Sequence, residues 1–332
     1  MNKKNKEFLS FLAEEIEKFI TYKRALGCKF KTEEYALYLL DAYLLKKKIF
    51  DMEEVTPELI EKFLASRPRY RPRSYNHLLG VIKGFFNWLV MQGICQSPPV
   101  HIRPKRATTH RIPFLFNRVQ AQQLLLVASQ LPDNPFASQR GKTYFMIFAL
   151  LYGLGLRVSE VSHLQRADID FNRNLLIIRQ TKFSKSRLVP FGPKMAQHLQ
   201  NYLQHHEEYY GTWRPESPVF SFRQQRPIYP GTISRTFRHL VPHLNLIIPP
   251  GVSTPRLHDF LRHSFAVGAL LRWYREGIKP AQRLFHLSTF LGHVDPSSTA
   301  TYLTITEDLL KEANQRFEQF IPLSITENKN HD

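Results

Sequence analysis

Tyr302 follows His293 by nine residues (302 − 293), within a polar stretch that separates two apolar ones. A phenol is a poor nucleophile at its ordinary pKa of about 10. A catalytic tyrosine here therefore requires cations elsewhere in the chain to stabilise developing negative charge. Three places can supply them. Arg157 comes just after Gly153-Leu154-Gly155, where an apolar helix would end and hand a guanidinium to whatever lies beyond. A partly buried arginine demands an anionic partner, and Glu160, three residues on, could also be that partner. Lys182 falls between two β-prone runs, with Lys185 and Arg187 nearby, at the mouth of an expected hairpin. His258 and Arg262 are four apart and share one helical face. Two such cations are unfavourable neighbours unless an anion lies between them; the adjacent His263 reads as structural.

Two arginines, a lysine, two histidines and a tyrosine suit attack on a phosphodiester. Cationic donors stabilise the pentacoordinate transition state, and the tyrosine forms a covalent phosphoenzyme. A carboxylate-rich nuclease would instead need a divalent metal. The sequence has no Cys/His metal cluster, no glycine-rich phosphate loop and no Asp-rich motif, so neither metal nor cofactor is expected.

The bulk composition agrees. Forty-six Lys and Arg against 28 Asp and Glu leave a net charge of +18 on 332 residues, which points to a polyanion, double-stranded DNA first. No run of about 18 apolar residues exists for a membrane span, and the basic start is soon interrupted by Glu14, Glu15 and Glu17, unlike a signal peptide. Cys28 and Cys95, without metal-ligand spacing, fit a reducing cytosol. A cytoplasmic, nucleoid-associated protein is the expectation.

The length favours two domains. Helical periodicity covers residues 7–49 in two runs, Thr56-Pro57 caps a third helix, and a fourth carries Tyr75, Leu78, Leu79, Ile82, Phe85, Phe86 and Leu89. Between the third and fourth lies a Pro-punctuated loop, 66–74, with Arg67, Arg69, Arg71 and Arg73 as candidate phosphate contacts. Residues 1–97 read as a helical domain and 98–111 as a linker whose Lys105 and Arg106 could track a DNA backbone. Residues 112–325 read as a second domain and 326–332 as a polar tail. In that domain Asn117 caps a helix, 142–152 is a buried central helix, and 175–178 with 187–189 form a hairpin. Helices follow near 194–209 and 232–240, one opens at Thr254-Pro255, and Leu309, Leu310, Ala313, Phe317 and Phe320 make one stripe of a last helix, 307–320. The fold class expected is mainly α with a small β-hairpin.

Four stretches in order, Gly155 to Glu160, Thr181 to Pro190, Leu261 to Ala266, and Leu291-Gly292-His293 with Tyr302, resemble the tyrosine recombinase (phage integrase) family. The resemblance runs over nearly the whole chain. It implies an N-terminal helical core-binding (SAM-like) domain and an α+β catalytic domain acting on duplex DNA, as a tetramer assembled through the C-terminal helix. It also implies roles. Tyr302 would attack the scissile phosphate to give a 3′-phosphotyrosyl link, Arg157 and Arg262 would hold non-bridging oxygens, and Lys182 would protonate the leaving 5′-oxygen. His258 would assist proton transfer, His293 would bind phosphate and Glu160 would orient the site.

Two departures from the family pattern stand out: His258 precedes Arg262 by four residues rather than three, and Arg262 precedes His293 by 31 (293 − 262). The long gap resembles recombinases of transposons and other mobile elements, so integration, excision or transposition is the expected role. A type IB topoisomerase-like nicking-closing enzyme and a non-catalytic DNA-binding protein are the alternatives.

Overall fold

The computed structural model describes residues 7–106, 112–179, 186–212, 214–222, 226–293, 295, 297–300 and 302. It divides into two compact units, residues 1–110 and 111–332.

The first unit is four helices: α1 (Ala13–Ala25), α2 (Lys31–Lys47), α3 (Pro57–Ala65) and α4 (Pro72–Met91). Each buries one apolar stripe, and Phe19, Leu40, Phe63, Ile82, Phe85 and Phe86 meet in the middle. The buried carboxylate of Asp41 on α2 accepts the backbone N–H groups of Leu9 and Ser10, 2.8–3.2 Å, which fastens the chain entering α1. Thr56 accepts the Leu59 N–H and Pro57 takes the first helical position, as expected for α3. The arginine-rich loop is shorter than its sequence suggests. Pro72, its φ already helical, starts α4 with Arg71 as an extended N-cap, so Arg73 stands on the helix and not in the loop. Residues expected as linker also pack here: Val100 is buried in this core, and the Asn76 amide makes two 2.8 Å hydrogen bonds to the Lys105 backbone.

The second unit is built around α6 (Arg140–Leu154), which is apolar on all sides and buried among the other elements. Preceding it is α5 (Arg118–Ser129), held by a full capping box between Asn117 and Gln120. After it comes the single-turn α7 (Val158–Ser162), then an antiparallel sheet of β1 (Ile169–Asp170), β2 (Leu175–Ile178) and β3 (Arg187–Pro190). The expected hairpin is β2–β3, with Leu176 opposite Val189 and both buried. The helices α8 (Pro193–Tyr210) and α9 (Pro230–Leu240) complete the core.

No helix opens at Thr254-Pro255. The Ser253 N–H is bonded to the Ile112 carbonyl and Val252 bridges Ile112, so the segment runs extended and helix begins only at Leu257. That helix contains a π turn, Asp259–His263, before α10 (Ser264–Arg275). Two further helices follow, α11 (Pro280–Leu291) and the short α12 (Ser297–Ala300). No helix is expected over 280–291 from the sequence, although Pro280 at the first turn of α11 and Gly292 just past its end (φ +66°) are ordinary start and stop signals. The expected helix 307–320 and Lys182 lie outside the described residues. Among the described residues no helix is long and apolar enough to cross a membrane.

Candidate active site

The central helix α6 ends at Gly155 in the left-handed conformation, φ +58°. A Cβ there would sit 2.8 Å from the Phe265 ring and 3.0 Å from Leu291, so only glycine permits both the turn and this approach of α10 and α11. Two residues on, Arg157 is the extended N-cap of α7. The Glu160 carboxylate accepts the Arg157 backbone N–H at 2.8 Å and its Nη1 at 2.7 Å. Arg157 Nη2 donates to the Gly292 carbonyl at 2.8 Å, tying α7 to the end of α11.

Glu160 holds a second cation. Arg187 donates Nη1 and Nη2 to the two carboxylate oxygens at 2.8 and 2.9 Å, and Nε to the Phe290 carbonyl at 2.9 Å. Its side chain packs so close to Gly292 that a Cβ there would sit 3.0 Å from Nη1. Burial alone would raise the Glu160 pKa; the hydrogen bonds and charge of Arg187, with Arg157, overcome this and hold it below the usual carboxylate value. In the sequence Arg187 stands out only as a neighbour of Lys182. Nothing local in the sequence marks this role, because its partner Glu160 lies 27 residues back.

The π turn explains the four-residue spacing. The Ser264 N–H bonds to the Asp259 carbonyl, five residues earlier, so one extra residue is absorbed in a single wide turn. Arg262 leaves this turn 1% exposed. Its Nη2 donates to the Leu291 carbonyl, while its buried Nη1 has no hydrogen-bond partner among the described residues. Burial, and then the charge of Arg157, bring its pKa down to about 10. A desolvated guanidinium with an unused donor is a costly arrangement unless an anion arrives to take it.

Tyr302 is 4% exposed. Its ring stacks with His293, centroids 6.3 Å apart, and meets His263 edge-on at 5.3 Å. The Nδ1 of His293 is 2.6 Å from the Thr299 hydroxyl on α12, which orients the imidazole. The His258 ring meets His263 edge-on at 4.9 Å. His263, expected to be merely structural, thus lies between His258 and the tyrosine. Burial raises the Tyr302 pKa, and Arg262 and Arg157 oppose that rise. Desolvation followed by Arg262 lowers the pKa of His258. The site therefore gathers Arg157, Arg187, Arg262, Glu160, His258, His263, His293 and Tyr302. Among these residues, three guanidiniums against the Glu160 carboxylate, with neutral imidazoles, leave a formal charge of +2 (3 − 1) beside a buried phenol. Such a site can receive a phosphate and stabilise added negative charge on it. Arg67, Arg69, Arg71, Arg73, Lys105 and Arg106 belong to the first unit.

These shifts set a pH dependence of stability. His263 and His293 have pKa values pushed down to about 4, by burial first and then by His258 and Arg262 respectively. Because both folded values lie below the ordinary 6.5, their contribution is complete above pH 6.5 and is lost as the pH falls toward 4. Asp259 acts in the opposite sense: burial raises its pKa to about 6, so it favours the fold as the pH falls from 6 toward 3.8. Two histidines outweigh one aspartate, and a net loss on the order of 2 kcal/mol is expected between pH 7 and pH 4. Melting temperatures across that range should fall less steeply in His263→Asn and more steeply in Asp259→Asn. Parallel curves for both variants and the wild type would contradict the assignment.

The chain matches the phage integrase family over residues 117–308. It is 33% identical over 316 residues to the putative integrase/recombinase y4rB of Sinorhizobium fredii, covering 94% of this chain and 98% of that protein. With the tyrosine recombinase XerC of Chlorobaculum tepidum it shares 28% identity over 287 residues, 79% of this chain and 80% of the relative. Among solved structures, the Tn1549 transposon integrase in complex with transposon right end DNA superposes with a TM-score of 0.64 at 16% identity, covering 94% of this chain and 99% of that one. A lambda integrase dimer bound to a COC′ core site gives 0.62 at 16% identity, covering 89% and 95%. The structural likenesses speak for the fold, which is mostly helical with a small three-stranded sheet. The family match and the 33% relative establish that the chain belongs to the phage integrase family, the tyrosine recombinases, a class of DNA strand-transferring enzymes.

Proposed function

We propose that the chain is a site-specific recombinase that cleaves and rejoins duplex DNA through a 3′-phosphotyrosyl intermediate. The observation that carries this is the unpaired, buried Nη1 of Arg262 close to a buried tyrosine, with Arg157 held into the same site. In this reading Arg157 and Arg262 take the non-bridging oxygens of the scissile phosphate and His293 hydrogen-bonds to it. The Tyr302 oxygen attacks phosphorus and its proton passes toward His258. The bond from phosphorus to the 5′-oxygen breaks as Lys182 protonates that oxygen. A 5′-hydroxyl from a second duplex then displaces Tyr302, reversing the step with the strands exchanged. Arg187 and Glu160 touch no reacting atom; they are positioning residues. The charge comes from guanidiniums, so the chemistry needs no divalent metal.

The first unit is the DNA-binding, core-binding domain, and the second the catalytic domain. Arg67, Arg69, Arg71, Arg73, Lys105 and Arg106 contact phosphates. The complexes of the Tn1549 transposon integrase with transposon right end DNA, and the 31 residues (293 − 262) between Arg262 and His293, support a role in moving a mobile element. A lambda integrase tetramer is known bound to a Holliday junction; for this chain, a tetramer on DNA would form through the stripe Leu309 to Phe320. The protein works where its DNA is, in the cytoplasm at the nucleoid.

The test uses nicked duplexes tiled across the DNA that flanks the gene, with SDS-resistant adducts scored on gels. Wild type should form an adduct, in EDTA as well as in magnesium, and Tyr302→Phe none. An adduct that survives in Tyr302→Phe, or one that needs a divalent cation, would sink the proposal. Plasmid relaxation without recombinant products from two sites would instead favour the topoisomerase-like reading.

A further inference from the structure

Tyr70 is 98% exposed, the most exposed of the large hydrophobic side chains among the described residues. It lies between α3 and α4, with Arg67 and Arg69 before it and Arg71 and Arg73 after it. An aromatic ring wholly in water forfeits the burial that rings ordinarily gain. Pro68 on one side and Pro72 on the other restrict the backbone that presents it. The surrounding cations are also uncommitted. None of the ion pairs among the described residues uses these four arginines. The Nε atoms of Arg67 and Arg69 are buried without a hydrogen-bond partner among those residues. Lys105 joins the same surface: its backbone is pinned to Asn76 and its Nζ stands 4.4 Å from the centre of the Tyr75 ring, on the first turns of α4.

We propose that Tyr70 is a groove-packing residue: the arginines seat on phosphates and the ring packs against the deoxyribose faces of duplex DNA between them. This rests on the reading of the chain as a DNA-acting recombinase and adds to it a contact that is apolar. The four arginines around the ring make this surface strongly positive, which favours a polyanion with phosphates on either side of a groove. Between neutralised phosphates its apolar faces meet sugars, which are alike at every base pair, so the contact is independent of sequence.

An apolar contact and a phosphate contact differ in their salt dependence. An arginine that neutralises a phosphate releases counterions, so its removal flattens the slope of log Kd against log salt. Removal of the ring releases none and shifts the whole line without tilting it. The experiment is fluorescence anisotropy of the full chain on a labelled mixed-sequence duplex over a range of NaCl. Tyr70→Ala should weaken binding about tenfold at every salt concentration with an unchanged slope, taking roughly half the ring as buried. Tyr70→Phe should bind within about twofold of wild type, and Arg69→Ala should give a shallower slope. Because the Tyr70 side chain touches so little of the protein, circular dichroism should show Tyr70→Ala folded as wild type. Wild-type affinity in Tyr70→Ala, or a slope change like that of Arg69→Ala, would overturn the groove-packing role while leaving DNA binding intact. A wild type that does not bind duplex at all, or that binds phosphatidylserine vesicles in its place with the same Tyr70 dependence, would overturn the recombinase reading too.

Discussion

An Arg262→Met variant should melt at or above the wild-type temperature while losing about a hundredfold to a thousandfold in the rate of DNA cleavage. The two halves of this expectation have one origin. Arg262 is 1% exposed, donates Nη2 to the Leu291 carbonyl and leaves Nη1 without a partner. Burial and the charge of Arg157 push its pKa down to about 10, a sign that the folded protein holds this cation at a cost. Methionine fills much of the same volume without desolvating a charge, and replacing buried ionic groups with apolar ones of similar size is often neutral or stabilising. The lost bond to Leu291 offsets part of that gain. The catalytic loss follows because one preorganised donor to a developing oxyanion contributes about two to three powers of ten. DNA affinity should change little, since one phosphate contact among many is removed. Adduct rate, melting temperature and Kd, measured on one preparation, check all three. Wild-type cleavage by the variant would remove Arg262 from the phosphate site. A lower melting temperature would mean that the guanidinium is there to hold the fold.

Why was this residue legible in the sequence when others were not? Arg157, Arg262, His293 and Tyr302 lie in short local patterns whose order could be read directly, and local caps such as Thr56 and Asn117 obey rules confined to a few residues. What escaped depended on distance or on exact helical phase. The partnership of Glu160 with Arg187 joins α7 to β3 and exists only once the sheet has folded back. The extra residue between His258 and Arg262 showed in the spacing, but how the helix absorbs it did not, because residues four apart share a face of a regular helix too. The contact of His263 with Tyr302, 39 residues on (302 − 263), was likewise not readable. The Thr254-Pro255 signal was present but lost to a tertiary contact, the backbone pairing of 252–253 with Ile112. The exposure of Tyr70 likewise has no mark in a sequence, where a tyrosine in a loop looks the same packed or free.

The second large effect belongs to Glu160. A Glu160→Ala variant should be destabilised by about 3–5 kcal/mol, because removing one member of a buried charge cluster leaves the others uncompensated. Here the residue removed is the acid bonded to both Arg157 and Arg187, and it acts through space on Arg262. Glu160 also accepts the Arg157 backbone N–H, so the start of α7 loses its cap as well. Cleavage should fail even at temperatures where the variant is folded, since Arg157 would no longer be held toward Gly292. Urea denaturation measures the first effect and adduct formation the second.

A double substitution separates charge from packing. Adding Arg187→Met to Glu160→Ala removes one of the unpaired cations, and it should recover part of the lost stability without recovering cleavage. If the double variant is less stable than Glu160→Ala by the full cost of Arg187→Met alone, the two residues act independently. The bidentate bond between them would then contribute little, and Glu160 would matter chiefly as the cap of α7. Recovery of stability and cleavage together would instead show that neither residue positions Arg157. Coupling in stability with cleavage still absent is the outcome expected of a carboxylate that holds two arginines, one to fasten β3 onto the end of α11 and one for the phosphate.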